Sequence, residues 1–272
     1  MKIRIGYDIV YECEQPTPMI LMLNVHYSRV ADLERPDHIL VEPALPLTGY
    51  RDVYGNWCTR MIAPAGAVRI RSEAVIRDSG RREPVVPDAR AVPVEHLPDD
   101  ALLFLLASRY CETDRLMTAA WKLFGNTPPG WARVQAICDY VHDHVEFGYH
   151  YARATKTAFD AHEECQGVCR DFAHLAVTFC RCMNIPARYC TGYLGDIGVP
   201  ASDAPMDFSG WFEAYLDGQW YAFDARHNEP RIGRILIARG RDAADVAITT
   251  SFGTSRLVQF TVVTDEIQTP AA

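Results

Sequence analysis

The chain has 272 residues, enough for one large or two modest domains, and its 49% hydrophobic and 23% charged content is that of an ordinary globular protein. Its formal net charge of −8 argues against nucleic acid as the main partner. No stretch approaches the ~18 apolar residues of a membrane span. Nine cysteines, with no tight spacing framework and no signal-peptide core at Met1–Asp8, predict reduced thiols in the cytoplasm.

Residues 2–14 alternate like a strand, 18–27 form a more apolar strand and 38–43 a short one. Residues 50–64 read as a hairpin turning at Tyr54-Gly55-Asn56-Trp57, and 67–77 alternate again. Short strands punctuated by Pro and Gly predict an N-terminal β-sandwich over residues 1–90. It carries no titratable cluster, so its expected role is packing, substrate shaping or oligomerisation. Residues 80–97, with Pro84, Pro87 and Pro93, read as a linker. Helices are expected over 99–110, 113–124 and 129–145, with Asp99 and Thr113 as N-caps. The continuous apolar run at residues 102–107 predicts burial between two domains.

The segment Gly167-Val168-Cys169-Arg170-Asp171-Phe172-Ala173-His174-Leu175 places a cysteine where a loop enters an apolar helix. Phe172, Leu175, Ala176, Phe179 and Met183 recur at helical spacing. Cys169 lies about 20° from Ala176 at ~100° per residue, which points its thiol into the protein at a helix N-terminus. There the free N–H groups and the helix dipole favour a thiolate. A buried structural thiol has the same signature, so the segments downstream decide between the two.

Pro186 ends that helix, and residues 187–193 alternate as a strand. A second strand runs through Ser209-Gly210-Trp211-Phe212-Glu213-Ala214-Tyr215. Asp217-Gly218 then turns a hairpin into a third strand that ends at Asp224. The blocks GVCRDFAHL, NIPARYCTGY, WFEAYLDGQW and FDA, within about residues 130–228, resemble the transglutaminase-like family, a branch of the papain-like cysteine enzymes. The N-terminal part is similar to the domain often found ahead of bacterial transglutaminase-like cores.

The resemblance implies an α+β fold. A β-sandwich at 1–90 precedes a catalytic domain at 91–272, whose cysteine-bearing helix packs on an antiparallel sheet. It also implies a Cys-His-Asp triad, with Cys169 as nucleophile and Asp224 orienting the base. The family's histidine position holds Ser209, which binds no proton near neutral pH as an imidazole does.

Nine histidines are available to replace it. His174, five residues past Cys169, points about 140° away at ~100° per residue and is expected at a surface or interface. His142 and His144 lie two apart and so face different sides of a helix. His227, three residues after Asp224, is the favoured base, ahead of His162. Gln166 and Trp211 are candidates for oxyanion and substrate contacts, and the Cys169 N–H is the first-choice oxyanion donor. His162, Cys165 and Cys169 match no common zinc spacing, so no metal or cofactor is expected. Cys165 is expected beside the nucleophile, able to form a reversible disulfide with it.

Two functions follow. The first is a cysteine enzyme that attacks a peptide or glutamine-type amide through a thioester, with hydrolysis ranked above cross-linking and a peptide or protein as substrate. The second is a peptide-binding pseudoenzyme, motivated by Ser209.

Overall fold

The last long strand pairs with the first, so the two ends of the described chain lie side by side. The computed structural model describes residues 1–201 and 205–268. The N-terminal part contains β1 (Lys2–Cys13), β2 (Thr17–Leu21), β3 (Leu33–Arg35), β4 (Leu40–Glu42), β5 (Thr48–Arg51), β6 (Trp57–Ala63) and β7 (Gly66–Arg77). Then come α1 (Asp99–Leu102), α2 (Thr113–Phe124), α3 (Trp131–His144), β8 (Glu146–Phe147), α4 (Ala158–Glu164), β9 (Gln166–Gly167) and α5 (Cys169–Cys182). Strands β10 (Ala187–Tyr193), β11 (Ser209–Leu216), β12 (Gln219–Phe223), β13 (Ile235–Gly240), β14 (Thr249–Ser251) and β15 (Ser255–Glu266) complete the chain.

The strand patterns dictate which faces are buried. In β1, Ile3, Ile5, Tyr7 and Ile9 face inward while Lys2 and Arg4 face out, the period of two expected of a half-buried strand. One sheet runs β15-β1-β7-β3 with β4 also on β7, and a second runs β14-β2-β6-β5. Their apolar faces share a core of Ile3, Ile5, Ile9, Leu21, Met61 and Ile70, which continues into Tyr189, Tyr193 and Ile235 of the third sheet. That third sheet has the order β12-β11-β10-β13 and is antiparallel throughout. Its hairpin turns at Asp217 and Gly218, both left-handed with φ of 49° and 84°, as the Asp-Gly signal requires.

The mixed α+β class and the cysteine-bearing helix packed against an antiparallel sheet are both present. Helix α5 is more deeply enclosed than a single apolar stripe predicts, since every residue from Asp171 to Cys182 is buried. Helices α2, α3 and α4 and the sheet surround it. Its polar members are tied internally: Arg181 donates to the carbonyls of Leu106, Ala187 and Arg241.

Four expectations need correction. The helix at 99–110 stops at Leu102 and continues only as a 3-10 turn at Leu103–Leu105. The run is not buried between domains, because Leu102, Leu103 and Leu106 are exposed and only Ala101 and Phe104 are covered. The tail grouped with the catalytic part at 91–272 is divided: β13 joins the third sheet, whereas β14 and β15 pair with β2 and β1. An alternating strand carries no label for which sheet it will join. His174, expected at a surface, is fully buried; its Nε2 accepts the Ala243 N–H at 3.0 Å and its ring stacks on Tyr110 at 5.0 Å.

Candidate active site

The N-terminus of α5 is built by three residues of one motif. The Asp171 carboxylate reaches back to accept the Val168 N–H at 3.0 Å, capping the helix from within its first turn. Arg170 donates to the other oxygen of the same carboxylate at 2.9 Å. This fold-back passes over Gly167, where an added Cβ would come within 2.7 Å of the Asp171 side chain. The spacing Gly-Val-Cys-Arg-Asp therefore fixes Cys169 as the first residue of the helix, where backbone N–H groups have no intrahelical acceptor.

Cys169 is half-buried. Burial pushes its thiol above the ordinary value. The Gly210 N–H directed at the sulfur and the Arg226 guanidinium pull it down, while Asp207 and Asp224 add to the rise. The expected resting thiolate is therefore not what this environment sets, and the sulfur needs a base to take its proton.

Asp224 follows β12 and is buried. Its Oδ1 accepts the backbone N–H of Arg226 at 3.0 Å and of His227 at 3.2 Å. Its Oδ2 accepts from Arg234 Nη2 at 3.1 Å and faces His227 Nδ1 at 2.8 Å. Burial alone would raise this carboxyl. Arg234 and His227 outweigh burial and hold it well below the usual carboxylate range. An ionised Asp224 only accepts, so Nδ1 of His227 carries the proton and Nε2 is left as the basic nitrogen.

The turn that brings His227 back is clamped by α3. His142 Nδ1 lies 2.9 Å from the Arg226 carbonyl, and Gln135 and Asp139 hold the Asn228 side chain at 2.9 and 2.8 Å. Asn228 takes the left-handed conformation at φ 52°, which asparagine tolerates better than most residues. Sequence reading missed this clamp, and it missed Arg234 and Glu83. Arg234 Nε donates to Glu83 Oε1 at 2.5 Å, so the supposed linker supplies a carboxylate to the network behind Asp224. The two carboxylates outweigh the cost of burial and keep Arg234 charged.

Ser209 opens β11 and is buried, and its Oγ has no hydrogen-bond partner among the described residues. It lines a cavity of ≈ 60 Å³ together with Tyr149, Asp207, Arg226, His227 and Arg231. Burial raises the Asp207 carboxyl, against the Phe208 N–H and Arg226. Cys169 is not among the residues lining this cavity, but Arg226 and Asp207, which do line it, both act on the sulfur. Among the described residues no hydrogen bond joins the Cys169 sulfur to an imidazole; His227 bonds Asp224.

The remaining candidates lie elsewhere. Trp211, expected on the substrate side, is 2% exposed, and the Arg234 guanidinium sits 4.8 Å from its ring centre, so it supports the network from beneath. Gln166 pairs with Glu146 in the short β8–β9 ladder, and its carbonyl accepts from the buried Lys156 at 2.9 Å. His162 packs on Tyr140, His144 and Phe179. Phe179 lies ten residues along α5 from Cys169, about 15 Å of helix axis, which removes His162 as its base. Cys165 is exposed, and its sulfur turns to His144 Nε2 at 3.5 Å rather than to Cys169. Among the described residues no group of three His, Cys, Asp or Glu side chains is arranged to hold a metal ion.

The family description "Transglutaminase-like superfamily" matches residues 119–225. The chain is 31% identical to a protein of known structure from Cytophaga hutchinsonii, described provisionally as a cysteine protease; the likeness covers 100% of this chain and 92% of that one, with a TM-score of 0.85. An uncharacterized protein of Mycobacterium leprae is 36% identical over 97 residues, which cover 34% of this chain and 33% of that protein. One from Mycobacterium tuberculosis is 32% identical over 90 residues, covering 30% and 29%. The match thus spans about a third of the length of these curated relatives.

Proposed function

Because the chain belongs to the transglutaminase-like superfamily, we propose that it is a cysteine enzyme that hydrolyses a peptide or glutamine-type amide, with Cys169 as nucleophile and the His227–Asp224 pair as base. The observation that carries this reading is the 2.8 Å contact between His227 Nδ1 and Asp224 Oδ2 beside a cavity that Ser209 leaves open. His227 lines the same cavity as Ser209, the residue at the family's histidine position.

In this mechanism His227 Nε2 takes the Cys169 proton as the sulfur attacks the carbonyl carbon. The C–S bond forms, and the carbonyl electron pair moves to oxygen, toward the N–H groups at the start of α5. The tetrahedral intermediate collapses, and the leaving nitrogen takes the proton from Nε2. A thioester remains. Water then attacks it, giving its proton to Nε2, and the sulfur departs as thiolate. Asp224 stays ionised throughout, holding the imidazole's tautomer and stabilising its charged form. The nine free cysteines suit a reducing compartment.

The test offers a glutamine-containing peptide mixture with and without a primary amine and follows three products by mass spectrometry. New N-termini identify a protease, ammonia without cleavage a deamidase, and amine incorporation a cross-linking enzyme. All three should vanish in Cys169→Ala. Peptide retention with no product from the intact protein would sink the reading in favour of a peptide-binding pseudoenzyme.

A further inference from the structure

A second cavity, of ≈ 490 Å³, lies in the N-terminal part of the chain, and none of its lining residues borders the cavity of Ser209 and His227. Its size is that of a small-ligand site. Tyr27, Ile39, Leu47 and Trp57 give it apolar walls, and three of these stay open to solvent, with Tyr27 47%, Leu47 37% and Trp57 39% exposed. The indole is placed by the strand beside it. A Cβ on Gly49 of β5 would come within 2.5 Å of Trp57 Cζ2, so the ring lies against β5 at a point that only glycine leaves free.

Arg51, the last residue of β5, lines the same cavity. Its guanidinium carbon is 4.8 Å from the Tyr27 ring centre and 5.7 Å from that of Trp57, and Nη1 donates to the Gly55 carbonyl at 2.8 Å. Two rings and a carbonyl thus hold the cation in place. Among the described residues no carboxylate forms an ion pair with it. The adjacent Asp52 accepts the backbone N–H groups of Tyr54 and Asn56 instead, at 2.9 and 2.8 Å. Asp37, the one acidic residue lining the cavity, accepts the Val25 N–H at 2.6 Å.

We infer that this cavity binds a carboxylate carried on an apolar residue, as at the C-terminal end of a peptide. Arg51 supplies a fork of N–H donors that matches a carboxylate, and its contacts with the rings fix that fork beforehand. Tyr27, Ile39, Leu47 and Trp57 cover the apolar side chain. The charge of Asp37 repels the carboxylate and leaves Arg51 as its partner. A peptide also finds backbone to follow, because β5 is the end strand of its sheet. The assignment stands apart from the reaction at Cys169.

The experiment titrates the full chain, as Cys169→Ala, with N-acetyl-L-phenylalanine and with its uncharged amide, and reads binding by ligand-detected NMR. The acid should bind and the amide should bind at least about tenfold more weakly, the loss expected for a charged hydrogen-bonded pair. Arg51→Gln should weaken the acid by a similar factor and leave the amide unchanged. Gly49→Ala should weaken both, by displacing the Trp57 ring. Arg60→Gln is the control, since Arg60 lies over Tyr50 and does not line this cavity. Equal binding of acid and amide, an Arg51→Gln protein that is folded by circular dichroism and binds the acid as before, or no binding of either compound at millimolar concentration would each overturn the inference. Because Cys169 is replaced throughout, none of these outcomes depends on whether the chain hydrolyses an amide.

Discussion

His227 Nδ1 and Asp224 Oδ2 stand 2.8 Å apart across a single turn, while the other carboxylate oxygen binds the Arg226 and His227 backbone N–H groups. The same carboxylate thus fixes both the turn and the ring. His227→Ala should lower kcat/KM by about 10²–10⁴-fold, the range for loss of a general base. Its side chain is 23% exposed and bonds the buried Asp224, so thermal unfolding should shift by no more than the loss of that one contact. A variant with wild-type turnover would move the base elsewhere.

Asp224→Asn removes the charge that Arg234 and His227 both face. It leaves Arg234 with Glu83 as its one remaining carboxylate partner in a buried position. Breaking a buried pair in this way costs about 3–5 kcal/mol. Chemical denaturation should show that loss alongside reduced turnover, whereas loss of activity alone would mean that Arg234 is sufficiently held by Glu83.

Thiol accessibility should be ordered. Cys165 is exposed, Cys169 is half-buried with its thiol raised, and the other seven cysteines are buried. Limited iodoacetamide near neutral pH should label Cys165 first and Cys169 second, with Cys169 labelling accelerating as pH rises. Peptide mapping that finds Cys169 labelled first at pH 6.5 would restore the activated thiolate that the helix N-terminus alone suggests.

Ser209→Ala should leave turnover within about twofold and stability unchanged or slightly improved, because the removed hydroxyl is buried and makes no hydrogen bond among the described residues. A large loss of kcat would show that the hydroxyl works in the reaction after all.

Two buried histidines make stability fall in mild acid. Burial, with Arg239, Arg188 and Arg51 nearby, pushes His26 down to about 4. Burial, with Arg170 and Arg181, holds His174 well below its ordinary value. Both are neutral when folded and bind a proton when unfolded once the pH is below about 6.5. Their stabilisation is therefore complete above that pH and is lost on acidification toward 4. Each contributes a slope of about 1.4 kcal/mol per pH unit in that window. Urea titrations from pH 7.5 to 4.5 should show the loss, and a flat profile would contradict the neutral assignment.

The sheet that carries the site was legible because its signals are local: Pro186 before β10, the Asp-Gly turn, and aromatic alternation on either side. Ser209 opens β11 and Asp224 follows β12, and their candidate roles, with Cys169 at the start of α5, come from the resemblance to the transglutaminase-like family. What was not legible depends on partners far away in sequence. Nothing near Glu83 announces Arg234, 151 residues on, and nothing near Asn228 announces Gln135 and Asp139. His174 looked amphipathically misplaced because its partner, the Ala243 N–H, lies in a loop 69 residues later. Trp211 looked like a substrate contact because an aromatic residue two positions from a catalytic position gives no sign of which face will be covered. Helical angle alone gave Cys169 the right direction but not the burial that raises its thiol.

The Glu83–Arg234–Asp224–His227 chain also has a mechanical meaning. Its first member leaves the N-terminal sheets directly after β7, and its last is the proposed base. The outermost strand of those sheets is β15, the end of the tail that follows the site. Undocking the first 90 residues would therefore strip a counter-ion from Arg234 and two strand partners from the tail in the same event. Heat inactivation and loss of the sheet's circular-dichroism signal should coincide in one transition, and a core cut at residue 91 should emerge without an ordered imidazole. The N-terminal sheets are in this sense a structural support of the His227–Asp224 pair, through Glu83 and Arg234.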